Sequence, residues 1–177
     1  MAAGHGTRMG SALPKQFIEL DGRPILQMTI EKFVLACPDI KIITVLPKEY
    51  IEAWKTFCIK YNCYYPQILV EGGITRFHSV KNALKKVPDG ALVAIQDGVR
   101  PLVSPELISR MFSRMSECRA LIPVLPSVDT LKAVRKTVDA SGNERLETIP
   151  GVVLDRSQVY RAQTPQIFCS EDIKEAY

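Results

Sequence analysis

The residues best suited to chemistry open the chain: Ala2-Ala3-Gly4-His5-Gly6-Thr7-Arg8-Met9-Gly10, followed by Pro14-Lys15-Gln16. Small residues let a backbone loop approach phosphate oxygens closely, and successive amide hydrogens in such a loop form an anion-binding concavity. Arg8 and Lys15 place two positive charges beside it. Two familiar phosphate motifs fail on spacing. Met9 stands where G-x-G-x-x-G needs its third glycine, and no G-x-x-x-x-G-K-S/T run exists. What remains is a glycine-rich turn followed by an arginine and a lysine, which suits a triphosphate and its leaving pyrophosphate. For Gly4-x-Gly6 alone an ordinary turn with solvated cations is the better reading; the whole segment favours phosphate.

Four later clusters follow in order along the chain. They are Gly72-Gly73 with Arg76 and Ser79-Val80; Asp97-Gly98-Val99-Arg100-Pro101; Asp129-Thr130-Leu131-Lys132; and Asp155-Arg156 leading to Gln163-Thr164-Pro165-Gln166. Guanidinium groups suit phosphate bidentately and threonine hydroxyls add neutral donors. Asp97 lies just past an apolar run, and open α/β sheets bind ligands at the carboxyl ends of their strands. Singly, each residue has a bland alternative: a capping carboxylate for Asp97, a helix-surface hydroxyl for Ser79, solvated polar groups for Thr130 and Arg156.

With the opening loop, these motifs resemble the 2-C-methyl-D-erythritol 4-phosphate cytidylyltransferases, within the wider nucleotidyltransferase superfamily. The resemblance implies transfer of CMP from CTP to a sugar-alcohol phosphate, with release of pyrophosphate. It assigns Arg8, Lys15 and Arg156 to catalysis, and Ala2, Ala3, Gly4, His5, Gly6, Thr7, Gly73, Ser79 and Gly98 to the nucleotide. Asp97, Arg100, Thr130 and Thr164 are assigned to the acceptor. A magnesium ion accompanying CTP is implied, with Asp97 the only protein residue considered as its ligand. The family often carries an acid after the paired glycines, where this chain has Ile74, so only a backbone contact carries over there. The resemblance also leads us to expect a strand before the glycine-rich loop and a further lysine beyond Tyr177. A ribitol 5-phosphate or related alditol-phosphate cytidylyltransferase is the nearest alternative, and a nucleotide-binding module without turnover is an alternative of another class.

The elements that must hold these residues read as α/β. Runs at 41–46, 67–70, 91–95 and 120–125 are continuously apolar, as strands covered on both faces require. Between them, Leu26, Ile30, Phe33 and Val34, then Tyr50, Ile51, Trp54, Phe57 and Cys58, recur at helical spacing. This alternation predicts a Rossmann-like three-layer sandwich, a mostly parallel sheet with helices on both faces, in a single domain spanning 1–177. Ser104-Pro105-Glu106 and Ser170-Glu171-Asp172 read as helix starts. From 128 to 153 polar and apolar residues alternate around Asp139-Ala140-Ser141-Gly142-Asn143, which predicts a protruding β-hairpin arm. A lone two-stranded ribbon is marginal, so the arm is expected to rest on a second subunit in a homodimer.

Composition narrows the function classes. The 177 residues carry a net charge of +4 with scattered cations, which gives no footprint for nucleic acid. No apolar run approaches the roughly 20 residues that span a bilayer, so a cytoplasmic protein without membrane contact is expected. Five dispersed cysteines and two histidines offer no metal-ligand spacing.

Overall fold

The computed structural model describes residues 1–4 and 13–177. Among them the chain is α/β and divides into two compact units, one of residues 1–122 and 164–177, the other of residues 123–163. The larger unit begins with a small hairpin, β1 (Glu19–Leu20) and β2 (Arg23–Pro24). Its turn is Asp21-Gly22, both at positive φ, the dipeptide and geometry that tight hairpins favour. Then come α1 (Ile25–Ala36), β3 (Ile42–Leu46), α2 (Ile51–Lys60), β4 (Gln67–Glu71), α3 (Arg76–Leu84), β5 (Leu92–Ile95), α4 (Pro105–Arg114) and β6 (Ala120–Leu121).

β3 and β4 pair in parallel through the α2 crossover. Beyond them the sheet departs from the mostly parallel pattern expected. After β7 (Val124–Pro126), β8 (Val134–Val138), β9 (Glu144–Thr148) and β10 (Tyr160–Ala162) of the smaller unit, the chain re-enters the larger one as β11 (Gln166–Cys169) and ends in α5 (Ser170–Glu175). β11 lies antiparallel between β5 and β6. β5, α4 and β6 keep the parallel crossover sense that the sequence predicts, and the returning strand is inserted between its two strands. The run expected as one strand over 120–125 is split into β6 and β7, which belong to different ladders. Pro123, which has no N–H for a ladder, sits at the break.

The opening residues run as an extended segment. The Met1 nitrogen donates to Gln96 O at 2.7 Å and Gly98 N donates to Met1 O at 2.7 Å, the pairing of a parallel bridge. Ala2 N donates to Val45 O at 2.9 Å. Ala2 packs in a cluster with Phe17, Leu26, Ile30, Leu46 and Trp54, whereas Met1 packs beside Val80, Leu84 and Ile95. Adjacent residues of an extended chain point to opposite faces, so α1 and α3 cover opposite sides of this segment. A third cluster joins Met111 and Met115 to Ile167.

Trp54 is a core residue, and its indole N–H donates to Gln67 Oε1 at 3.1 Å. Ser104 caps α4, accepting from Leu107 N at 3.2 Å. Ser170 does not cap α5: it is the first helical residue, and its buried hydroxyl accepts from Ala91 N at 3.1 Å. No helix among the described residues is long and apolar enough to cross a membrane.

In the smaller unit β7 pairs with β10, and β8 pairs antiparallel with β9. Residues 129–133, expected in the first strand of that hairpin, precede it. The turn sets this register: Asp139 accepts from Ser141 N at 2.9 Å and Asn143 N at 3.0 Å, and pairing runs outward from Val138↔Glu144. Those donors, led by the Asn143 amide, hold the Asp139 carboxyl below its ordinary range.

Candidate active site

A cleft of about 620 Å³ opens in the larger unit, lined by Ala2, Ala3, Gly4, Lys15, Gly73, Arg76, Ser79 and Asp97 among others. Three elements converge on it. The opening segment is held by Gln16, which is buried and donates its side-chain amide to Ala2 O at 2.8 Å and Gly4 O at 3.4 Å. Lys15 precedes it in a one-turn 3-10 helix and is exposed at the cleft. Phe17, the next residue, is fully buried against Trp54 and Phe57, so the aromatic core anchors the turn that carries the lysine.

The second element is the turn between β4 and α3. Thr75 caps α3 by accepting from His78 N at 3.3 Å. Ser79, one turn inside, is buried; its hydroxyl accepts from Gly73 N at 3.0 Å and donates to Thr75 O at 2.9 Å. A side chain at Gly73 would collide with His78, and a Cβ at Gly72 would lie 2.6 Å from that of Ala3. Both glycines therefore answer to close approach, and the pair brings the turn against the opening segment. Ile74 is 98% exposed at the rim.

The third element follows β5. Asp97 is held on both carboxylate oxygens: Arg76 Nη1 lies 2.7 Å from Oδ1 and Arg100 Nε 3.0 Å from Oδ2. Its amide donates to Thr164 Oγ1 at 3.3 Å, which ties the start of β11 to the end of β5. Gly98 turns away from the cleft. Its N–H is taken by Met1 O and its carbonyl accepts from Thr29 Oγ1 at 3.0 Å. A Cβ there would lie 2.9 Å from Leu26 Cδ1 and 3.1 Å from Ala2 Cβ.

Apart from Gly98, which packs behind the cleft against Leu26 and Ala2, the sequence-predicted residues fall into three groups. Ala2, Ala3, Gly4, Lys15, Gly73, Ser79 and Asp97 line one cleft, with Arg100 and Thr164 bound to Asp97. Thr130 and Arg156 belong to the smaller unit, both exposed, with Arg156 Nη1 donating to Val128 O at 3.3 Å. The neighbouring Asp155 is held below its usual carboxylate range by the side chain and amide of Ser157. His5, Gly6, Thr7 and Arg8 lie outside the described residues. Two residues of the quoted motifs were not assigned roles and belong in the cleft's framework: Arg76, which reaches Asp97, and Gln16, which grips the opening segment. Their signal was proximity in the motifs: Gln16 directly follows Lys15, and Arg76 lies three residues from both Gly73 and Ser79. No group of three or more His, Cys, Asp or Glu side chains that could hold a metal occurs among the described residues.

The sequence profile of IspD, 2-C-methyl-D-erythritol 4-phosphate cytidylyltransferase, matches residues 1–177. The enzyme of that name from Bacteroides thetaiotaomicron is 41% identical over 177 residues, covering all of this chain and 75% of that protein. The Porphyromonas gingivalis enzyme is 41% identical over 178 residues, covering 100% of this chain and 73% of its own. Among solved structures, 4-diphosphocytidyl-2C-methyl-D-erythritol synthase from Anaerococcus prevotii superposes with a TM-score of 0.71 at 30% identity, over 98% of this chain and 69% of that one. With residues 1–177 matched and Lys15, the Gly72-Gly73 turn and Asp97 gathered around one cleft, the chain belongs to the 2-C-methyl-D-erythritol 4-phosphate cytidylyltransferase family.

Proposed function

We propose that this chain transfers CMP from CTP to 2-C-methyl-D-erythritol 4-phosphate, forming 4-diphosphocytidyl-2-C-methyl-D-erythritol and pyrophosphate. The observation that carries the proposal is the convergence on one cleft of the small-residue opening segment, Lys15, the Gly72-Gly73 turn and Asp97, in a chain of this family. A phosphate oxygen of the acceptor attacks the α-phosphorus of CTP. The bond from that phosphorus to the bridging oxygen breaks, and pyrophosphate leaves with the electron pair. An acceptor phosphate is already anionic, so no general base is required, and catalysis reduces to alignment and charge neutralisation. Lys15 supplies one cation, and Arg8 is assigned the other.

The Gly73 backbone is proposed to meet the base edge. Ser79 has its hydroxyl engaged with Gly73 N and Thr75 O, so its contribution is to fix the shape of that turn. Asp97, Arg100 and Thr164 are proposed to face the acceptor, with Thr130 and Arg156 assigned by the resemblance to the acceptor phosphate across a dimer interface. Magnesium is proposed to enter on the triphosphate, whose oxygens are hard ligands for it. Asp97 fits the role of metal ligand poorly, because both its oxygens are already paired with guanidinium groups. Dimerisation through the β8–β9 hairpin, as an arm on a Rossmann-like sandwich, completes the proposal.

The test is pyrophosphate release from a panel of nucleoside triphosphates with 2-C-methyl-D-erythritol 4-phosphate or ribitol 5-phosphate. Turnover with CTP and the methylerythritol phosphate is expected. Preference for ribitol 5-phosphate would move the acceptor assignment, and CTP binding in calorimetry without turnover on any acceptor would overturn the reaction itself.

A further inference from the structure

Helix α2 ends in a backbone motif that sets two particular side chains against each other. Asn62 lies in the left-handed region, at φ 54°. Its amide donates to Ile59 O at 3.3 Å, and the next amide, that of Cys63, donates to Cys58 O at 2.8 Å. With Tyr61 as the C-cap, these two bonds are the paired closure of a Schellman motif, which brings the third-from-last helical residue against the second residue beyond the cap. An apolar pair ordinarily fills those positions. In this chain both are cysteines.

The backbone bond limits how far the two can separate. Standard bond lengths on either side of the 2.8 Å contact hold the Cα atoms within about 6.7 Å of each other, inside the span of about 4.4–6.8 Å that disulfides bridge. The side chains meet as well, the Cys63 thiol donating to the Cys58 sulfur. Gln67 Nε2 donates to the same sulfur at 3.8 Å, and Gln67 is itself held, its Oε1 accepting from Thr44 Oγ1 at 2.7 Å and Trp54 Nε1 at 3.1 Å. The pair is asymmetric. Cys63 is buried in the cluster of Phe17 and Trp54, whereas Cys58 is half-buried at its edge. Donors aimed at Cys58, led by the Cys63 thiol, hold its thiol below the ordinary range; the same bond, with burial, pushes Cys63 up. The thiolate, the nucleophilic form, therefore resides on the more accessible sulfur.

We infer that Cys58 and Cys63 form a reversible oxidation site, which hydrogen peroxide converts from a dithiol to an intramolecular disulfide. The Cys58 thiolate attacks one peroxide oxygen, the O–O bond breaks, and hydroxide leaves and takes a proton from solvent. Cys58 is then a sulfenic acid. The Cys63 sulfur attacks the Cys58 sulfur, the S–O bond breaks, and hydroxide departs with the Cys63 proton as water. Two thiols are oxidised and one peroxide is reduced to two waters. A sulfenic acid that meets a neighbouring thiol condenses to a disulfide, which a thiol reductant reverses, before higher oxides form. The link ties the end of α2 to the segment entering β4. It is independent of the reaction proposed above, and its test needs no substrate.

The test treats the reduced 177-residue chain with hydrogen peroxide. Its five titratable thiols should fall to three, with the mass lower by two hydrogens and a peptide pair linked through Cys58 and Cys63, all restored by dithiothreitol. Cys58→Ser should keep its four thiols under the same treatment. Cys63→Ser leaves a hydroxyl donor of similar size beside Cys58 and removes the second sulfur. Dimedone, which traps sulfenic acids, should then label Cys58 in that variant and not in the unaltered chain. A linkage between any other pair, such as Cys118 with Cys169, overturns the proposal. So does a loss of thiols accompanied by a gain of oxygen with no disulfide formed.

Discussion

At the scale of single residues, the cleft separates charge that holds the protein together from charge held for a ligand. Arg76 and Arg100 are committed to Asp97, in pairs whose arginines are about half exposed, so their net worth to stability is at most about 1 kcal/mol. Their value is geometric: they fix the orientation of a carboxylate at the cleft wall. Lys15 is presented differently, on a turn anchored by Phe17 beneath it. Lys15→Ala removes an exposed ammonium and leaves that anchor intact, so thermal unfolding should change little. If the lysine neutralises charge developing at the transferred phosphorus, kcat/KM for CTP should fall by about 10²–10³, the loss of roughly 3–4 kcal/mol that follows removal of one preorganised donor. Steady-state kinetics beside a melting curve checks both halves, and a variant that keeps wild-type turnover would remove Lys15 from the mechanism.

At the scale of elements, α5 and β5 are joined by a contact that the capping pattern disguised. Ser170 resembles an N-cap in sequence, yet its fully buried hydroxyl serves the Ala91 amide at the entry to β5, and the adjacent Glu171 accepts from Gly90 N. Ser170→Ala leaves the Ala91 N–H without that acceptor, a loss of about 1–3 kcal/mol. Urea unfolding should show a lower midpoint with an unchanged slope, the signature of lost stability without a change in the surface exposed. The same region shows what sequence reading reaches and where it stops. β3, β4 and β5 were legible because strands covered on both faces leave uninterrupted apolar runs, and α1 and α2 because their apolar residues keep helical spacing. β11 was not: Gln166–Cys169 is short, follows a proline and precedes a serine, and its place between β5 and β6 is fixed by partners 46 to 77 residues away in sequence. In the cleft, residue types announced Lys15, Gly73 and Asp97, whereas the roles of Gln16 and Ser79 as braces for backbone segments come from burial and pairing that only the fold supplies.

At the scale of the whole molecule, the β8–β9 hairpin carries the strongest sign of a partner. Residues opposite one another share a face of a ribbon, so Val134, Val138 and Leu146 stand on one side with Lys136, Glu144 and Thr148, and Arg135, Thr137, Arg145 and Glu147 on the other. The side with the three aliphatic residues is open: Val138 and Leu146 are each 68% exposed. Cross-strand pairs of Arg135 with Glu147 and Lys136 with Glu144 support the ribbon, but exposed pairs of this kind add little, and two strands alone are marginal in water. Exposed apolar side chains on such a face are stabilised by being covered, and a second copy of the same ribbon, with its own Lys136 and Glu144, offers a self-complementary cover under two-fold symmetry. Leu146→Asp places a charge at the centre of that face without touching the turn at Asp139 that sets the register. Light scattering across a dilution series should then show a dimer for the unaltered chain and a monomer for the variant, with far-ultraviolet circular dichroism unchanged. Were the unaltered chain monomeric at every concentration, with full turnover, the hairpin would lose its assigned role as a dimerisation arm, while the chemistry assigned to Lys15 would stand.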